Sequence, residues 1–282
     1  MDELIRELNR QCDEQPFHTG WYLKDLHSGL EANRYGDLVG PSASTRKVSI
    51  LMAAMKEIHE GRLSFDQPLT PDPKYQINNS GCFRYFKPGF TLPLFDHLVM
   101  MIIVSDNVST GMLVDMLGLD LINDYSHSIG MTSTTHRDNI PSGSLTWDHA
   151  PDATNATTPN DVGLLLGMMV DGSRDETAAA KLGVTPELCR RAIEIMSWQQ
   201  LTNRLPYLMP PDAVVAHKTG RGVRNYSDVG IIYRGDDPRY ILTVYTDQVR
   251  PELPDGSAGR GAAHLHIATL CRTCWDHLVL NV

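Results

Sequence analysis

Strand-like segments cluster at the two ends of this chain and helical periodicity fills its middle, a pattern that few architectures satisfy. Near the start, an amphipathic helix carries Leu4, Ile5, Leu8 and Cys12 on one face, and short strand-like stretches follow at 20–26 and 30–35. Toward the end, 213–217, 228–233 and 240–246 read as strands, with Arg234-Gly-Asp-Asp-Pro238 turning between the last two, and a helix over 262–280 closes the chain. Residues 45–60 place Val48, Leu51, Met52, Met55 and Ile58 at helical spacing and are apolar around most of the circumference, which predicts a buried helix. Between 62 and 199 the periodic segments 94–104, 108–117, 161–170 and 186–196 are helical. Strands from both ends share one sheet only if the helical middle is inserted between them. The expected fold is α/β plus all-α: an antiparallel sheet flanked by helices from 1–61 and 200–282, with a helical domain, 62–199, inserted. That insert contains 132–159, a stretch rich in Thr, Asp, Asn, Pro and Gly; so long a connection inside a compact domain is usually functional.

The chain is long and apolar enough, at 282 residues and 41% hydrophobic, to bury a core as one domain or two interleaved ones. Its net charge is -9 and no Lys/Arg run forms a phosphate-tracking patch, so nucleic acid is not an expected partner. No apolar run reaches the roughly 18 residues that span a bilayer, so a membrane is not expected either. The opening MDELIRELNRQCDE lacks the basic, apolar and small-residue pattern of an export signal, and the expected location is the cytoplasm. Five cysteines, an odd number without secreted-framework spacing, agree with that. Cys271 and Cys274, with His264, His266 and His277 nearby, have the letters of a metal or redox site. Their spacing with Ile267 and Leu278 instead makes one apolar helix stripe, and no metal or other cofactor is expected.

Three short motifs carry the chemistry: Ser44-Thr-Arg-Lys47, Ser105-Asp-Asn107 and Lys218-Thr-Gly220. Alone, each has a bland reading: Ser44 as an N-cap, Ser105 or Asp106 as another, Lys218 as a surface strand lysine before a turn. An S-x-x-K match arises about once by chance in such a chain, but S-D-N and K-T-G are each far rarer, and one active site accounts for all three together. Ser44 is expected at the start of the buried helix, where free N–H groups favour an oxyanion, with Lys47 one turn on. A serine needs a base, and a lysine serves only if burial or nearby cations hold its pKa down; the apolar surroundings and Lys218 supply both. Ser105 would relay a proton and Asn107 hold a substrate amide at a helix junction. Lys218-Thr-Gly220 would follow an edge strand, with Lys218 and Thr219 binding a carboxylate and the N–H of Arg221 joining that of Ser44 in an oxyanion hole.

In these motifs and their spacing, 61 residues from Ser44 to Ser105 and 113 from there to Lys218, the chain resembles the class A β-lactamase and penicillin-binding-protein family of active-site serine enzymes. MIIVSDNVSTGMLVDMLG, AHKTGRGVRNYSDVGIIY and Thr157-Thr-Pro159 extend the likeness from about Trp21 to Leu278. The resemblance implies Ser44 as nucleophile, Lys47 as base, Ser105 as relay, Asn107 as amide contact, and Lys218 and Thr219 as carboxylate binders, in a cleft between the two domains. It implies a serine hydrolase opening an amide, lactam or ester through an acyl-enzyme. A peptidase, esterase or transacylase of the penicillin-binding type, or a protein that acylates once and stays trapped, is the alternative. The departure lies in deacylation: class A enzymes use a loop glutamate, and no Glu occurs between Gly61 and Asp175. Asp138, Asp148 and Asp152 are the loop's acids, each a methylene shorter. Tyr75, Gly81, Cys82, Phe83, Tyr85 and Phe86 are read as cleft wall or core with equal weight. Arg221 and Arg224 add positive charge beside Lys218 and Gly220, which points to a small anionic acyl substrate.

Overall fold

Antiparallel pairing brings the two ends of the chain into one sheet. The computed structural model describes residues 1–77, 80–140 and 145–280; residues 141–144 of the expected 132–159 loop lie outside them. The first segment holds α1 (Asp2–Asp13), β1 (His18–Asp25), β2 (Glu31–Arg34), the two-residue β3 (Gly40–Pro41) and α2 (Lys47–His59). The middle holds β4 (Pro68–Leu69), β5 (Leu92–Pro93), α3 (Leu94–Ile103), α4 (Asn107–Leu117), α5 (Leu119–Ser128), β6 (Ala156–Thr157), α6 (Pro159–Gly172), α7 (Glu176–Lys181) and α8 (Pro186–Ser197). The final segment is β7 (Ala213–Arg221), β8 (Tyr226–Arg234), β9 (Asp237–Asp247) and α9 (Gly259–Trp275), followed by a π turn, Asp276–Leu280.

The five-stranded sheet has the order β2-β1-β9-β8-β7, all neighbours antiparallel, with β7 at an edge. Gly235 and Asp236 alone join β8 to β9, and Gly235 at φ +59° supplies the left-handed residue that a two-residue hairpin needs. Side chains alternate between the sheet's faces. Trp21, Leu23, Ile232, Tyr240, Leu242 and Val244 pack under α1 and α9, while Tyr22, Ala216, Val229, Ile231 and Ile241 join the helices of the middle segment. α2 runs through that second core, with every residue from Val48 to Met55 buried. Cys271 and Cys274 lie wholly buried in α9, and burial pushes the Cys271 thiol up to about 12, so they are core side chains. Among the described residues no helix is long and apolar enough to cross a membrane.

The structure moves two boundaries and adds two helices. α2 begins at Lys47 instead of 45, and residues 43–46 form a 3-10 turn, so Ser44 lies in that turn ahead of the helix. β7 continues through Arg221, so Lys218-Thr-Gly220 lies inside the strand instead of following it. α5 and α7 were not expected: α5 buries only Ile122, Tyr125 and Ser126, and α7 is six residues behind the Asp175 cap, too little apolar pattern to mark either one.

Candidate active site

Three elements meet around Ser44. β3 pairs with β6 and leads into the turn, where Ala43 takes a left-handed conformation, φ +45°, immediately before Ser44. A non-glycine residue there is strained and persists because its surroundings over-determine it. Ser42 donates from its N–H and its hydroxyl to the Asn155 carbonyl, at 2.9 and 3.0 Å, and Thr45 Oγ1 donates to the Ser42 carbonyl at 2.6 Å. Ser44 itself is half-buried, and among the described residues its hydroxyl has no hydrogen-bond partner. It is held by backbone and free at the reactive atom.

Lys47 is buried, and Nζ donates to the Ser105 carbonyl (2.8 Å), Ser105 Oγ (3.1 Å) and Asn107 Oδ1 (2.9 Å). Burial, then the charges of Lys218 and Arg46, hold its pKa well below the ordinary lysine value, against an opposing pull from Asp106. The amine is therefore poised to lose a proton and become a base. Because Asn107 Oδ1 faces Lys47, its amide NH2 remains as the donor. Ser105 is left-handed at φ +57° and fixed from both sides, its carbonyl also accepting from Ser80 Oγ at 2.9 Å.

Asp106 is the fastener beneath that wall. Its carboxylate caps α4 through Val108 N and Ser109 N and also accepts from Cys82 N (2.7 Å) and Phe83 N (2.8 Å). A Cβ at Gly81 would lie 2.1 Å from Asp106 Oδ2, so only glycine allows this approach. Asp106→Ala should lower unfolding free energy by about 3 kcal/mol, since four N–H groups lose a charged acceptor. A urea midpoint unchanged from wild type would contradict this.

β7 forms the opposite wall. Lys218 is fully buried, and Nζ donates to the Thr219 carbonyl at 2.8 Å. Burial pushes its pKa down to about 7, with Asp228 opposing and Arg204 adding to the fall. Gly220 brings this strand against the nucleophile turn: a Cβ there would lie 2.3 Å from Ser227 Oγ, 3.1 Å from Thr45 Cγ2 and 3.2 Å from the Ser42 carbonyl. The three motifs therefore converge, Lys47 reaching Ser105 and Asn107, and Gly220 touching the Ser44 turn.

Sequence reasoning missed the charges behind Lys218. Asp228 accepts from His217 Nδ1 (2.9 Å) and Leu205 N (3.1 Å), and buried Arg204 donates to the Ser227 carbonyl and meets His264 Nε2 at 3.1 Å. Register places Asp228 opposite Thr219, so the one acid in YSDVGIIY was the available signal. Arg224 departs from expectation: its guanidinium is bound to Asp247 (2.9 and 3.1 Å) and to the Trp147 carbonyl (2.8 Å), so it anchors that loop instead of facing a substrate. Arg221 is exposed at the end of β7. The aromatic segment divides: Tyr75 and Phe83 are core, whereas Tyr85, Phe86 and Cys82 are exposed and Gly81 is half-buried. Of the loop acids, Asp138 is half-buried, accepts from Thr154 Oγ1 at 3.0 Å and lies within charge range of Arg46. Asp148 and Asp152 are exposed, Asp152 beside Arg137 at 3.5 Å.

Set against known proteins, residues 3–278 match the beta-lactamase enzyme family. The chain belongs to that family. This beta-lactamase-family chain is 26% identical over 220 residues to Beta-lactamase VEB-1 of Pseudomonas aeruginosa, covering 73% of the chain and 69% of the relative. Among solved structures, PBP-A superposes with a TM-score of 0.83 at 25% identity over 98% of this chain and 96% of that one. A beta-lactamase from Sphaerobacter thermophilus superposes at 0.84 and 22% identity over 99% and 98%. The fold is that of the class A β-lactamases, as its motifs implied, and the protein is a serine hydrolase of the β-lactamase type acting on a small molecule.

Proposed function

We propose that the protein opens an amide or lactam through an acyl-enzyme on Ser44, and that its substrate carries a carboxylate. The observation that carries this reading is the Lys47 amine, buried, held well below its ordinary pKa and bonded to Ser105 and Asn107, one turn after Ser44, whose hydroxyl has no partner among the described residues. Neutral Lys47 takes the Ser44 proton as Oγ bonds to the substrate carbonyl carbon, and the N–H groups of Ser44 and Arg221 receive the oxyanion. The carbon–nitrogen bond then breaks while the proton passes from Lys47 through Ser105 to the leaving nitrogen. Water attacks the ester carbon, its proton passes by way of Lys47 to the departing Ser44 Oγ, and the Oγ–carbon bond breaks to release the acid and restore the Ser44 hydroxyl and neutral Lys47. Lys218, Thr219 and Gly220 form the wall that meets the carboxylate, with Arg221 at its rim. Of the three loop acids, burial favours Asp138 for the hydrolytic water over Asp148 and Asp152. All five cysteines are free, which suits a reducing cytoplasmic setting.

A second reading has specific support. The loop lacks glutamate, and a substituted PBP-A at 26% identity has been solved as an acyl-enzyme with penicillin G. A penicillin-binding-type peptidase, esterase or transacylase, or a trap that never deacylates, shares every acylation step. The wild type treated with a fluorescent penicillin should carry one adduct on the tryptic peptide 35–46, the label decaying within minutes for a hydrolase and persisting for a trap. No adduct, or one confined to another peptide, overturns the acyl-enzyme on Ser44.

A further inference from the structure

Arg46, inside the first motif, is a buried cation with no direct carboxylate partner among the described residues. One Nη1 contacts His136 Nδ1 and Asn155 Oδ1, both at 3.4 Å, and Nη2 donates to the Asn139 carbonyl. His136 and Asn139 lie on the entry limb of the 132–159 loop; Asn155 lies on its exit limb. The hydrogen bonds fix the histidine's form: Ser49 Oγ donates to the Arg46 carbonyl (2.7 Å), so His136 Nε2–H donates to Ser49 Oγ (3.1 Å) and Nδ1 is left to accept from Arg46. Asn155 joins the limbs, its Oδ1 accepting also from Arg137 N (2.8 Å) and Asp138 N (3.1 Å). Its carbonyl holds Ser42, two residues before Ser44, while its side chain holds Arg46, two residues after.

We propose that Arg46 is a positioning residue that clasps both limbs of this loop to the nucleophile turn and thereby sets the lifetime of the acyl-enzyme. The planar fork matters, because a single ammonium does not reach acceptors on two limbs at once. The clasp also places Asp138, whose backbone is tied to Asn155 and whose charge is felt by Arg46. The loop carries whatever orders the hydrolytic water, whereas acylation runs through Lys47 and Ser105 on the other side. Loss of the clasp therefore acts on the two steps unequally. This inference rests on the proposed acyl-enzyme only for its kinetic half; the loop half stands without it.

The test compares wild type with Arg46→Lys, Arg46→Met and Asn155→Ala, using trypsin and penicillin G. Each variant should raise the rate of tryptic cleavage after exposed Arg137 at least about tenfold and change adduct lifetime at least about tenfold, with acylation altered less than about threefold in Arg46→Lys. Arg46→Met combined with Asn155→Ala should accelerate cleavage by less than the product of the two single effects, since the two share the Arg46–Asn155 contact. Unchanged cleavage in Arg46→Lys and Asn155→Ala overturns the proposal even if Arg46→Met fails to fold. So does an equal fall in acylation and deacylation. Absence of any adduct in the wild type overturns the proposed function, and the cleavage result then still decides the clasp.

Discussion

Ser44→Ala and Lys47→Met should each slow acylation by roughly 10⁴-fold or more, and the double variant should be no slower than either one. Nucleophile and base form one unit: without Lys47 the Ser44 proton has no acceptor, and without Ser44 the base has nothing to activate. Burial, Lys218 and Arg46 keep the Lys47 amine easy to deprotonate, so its loss removes the base in the form that works. Methionine fills a similar volume among the apolar neighbours of α2, so Lys47→Met should still fold, as near-wild-type circular dichroism and thermal midpoint would verify. The sign of its stability effect depends on pH. A lysine whose folded pKa lies below its unfolded value costs stability at every pH below the unfolded value, and the cost grows until pH falls below the folded one. Lys47→Met should therefore gain on wild type as the solution is acidified. Intact mass after timed exposure to penicillin measures acylation. A Lys47→Met enzyme that acylates within tenfold of wild type would remove Lys47 from the role of base.

The sequence was legible where chemistry is local and opaque where it depends on pairing. Ser44, Lys47, Ser105, Asn107, Lys218 and Thr219 stand in short motifs, and the structure brings those motifs together. Arg204 and Asp228 were not legible, because each matters through a partner across the sheet: Asp228 is tied to His217, and Arg204 lies against Ser227 and His264. Arg224 misled for the same reason. Its place six residues after Lys218 put positive charge near the pocket, but Asp247, on a different strand, neutralises it. The strand carrying Lys218-Thr-Gly220 was cut short at 217 because Lys and Gly are depleted in strands; pairing with β8 overrides that preference. The loop was recognisable by length and composition, yet Arg46 had no local signature as its anchor.

For a substrate with a carboxylate, kcat/KM should fall about 30-fold between pH 6 and pH 8.5, following the charge on Lys218 as pH rises through about 7. The direction follows from which form binds: the ammonium attracts the anion, and above its pKa the cleft wall loses that charge. Lys47 works in the opposite sense, active when neutral, so it governs the acid side and the two together give a bell. A bound carboxylate favours the ammonium, so the basic limb of kcat should lie at higher pH than that of kcat/KM. Two controls isolate Lys218. An uncharged ester acyl donor should show no basic limb, because it makes no demand on the ammonium. Lys218→Arg keeps its charge throughout this range and should flatten the limb for the anionic substrate. Lys218→Met should lose about 100-fold in kcat/KM for the anion at pH 6 and far less for the ester. Equal basic limbs for the anion and the ester would show that another group titrates there, and that the carboxylate is held without Lys218.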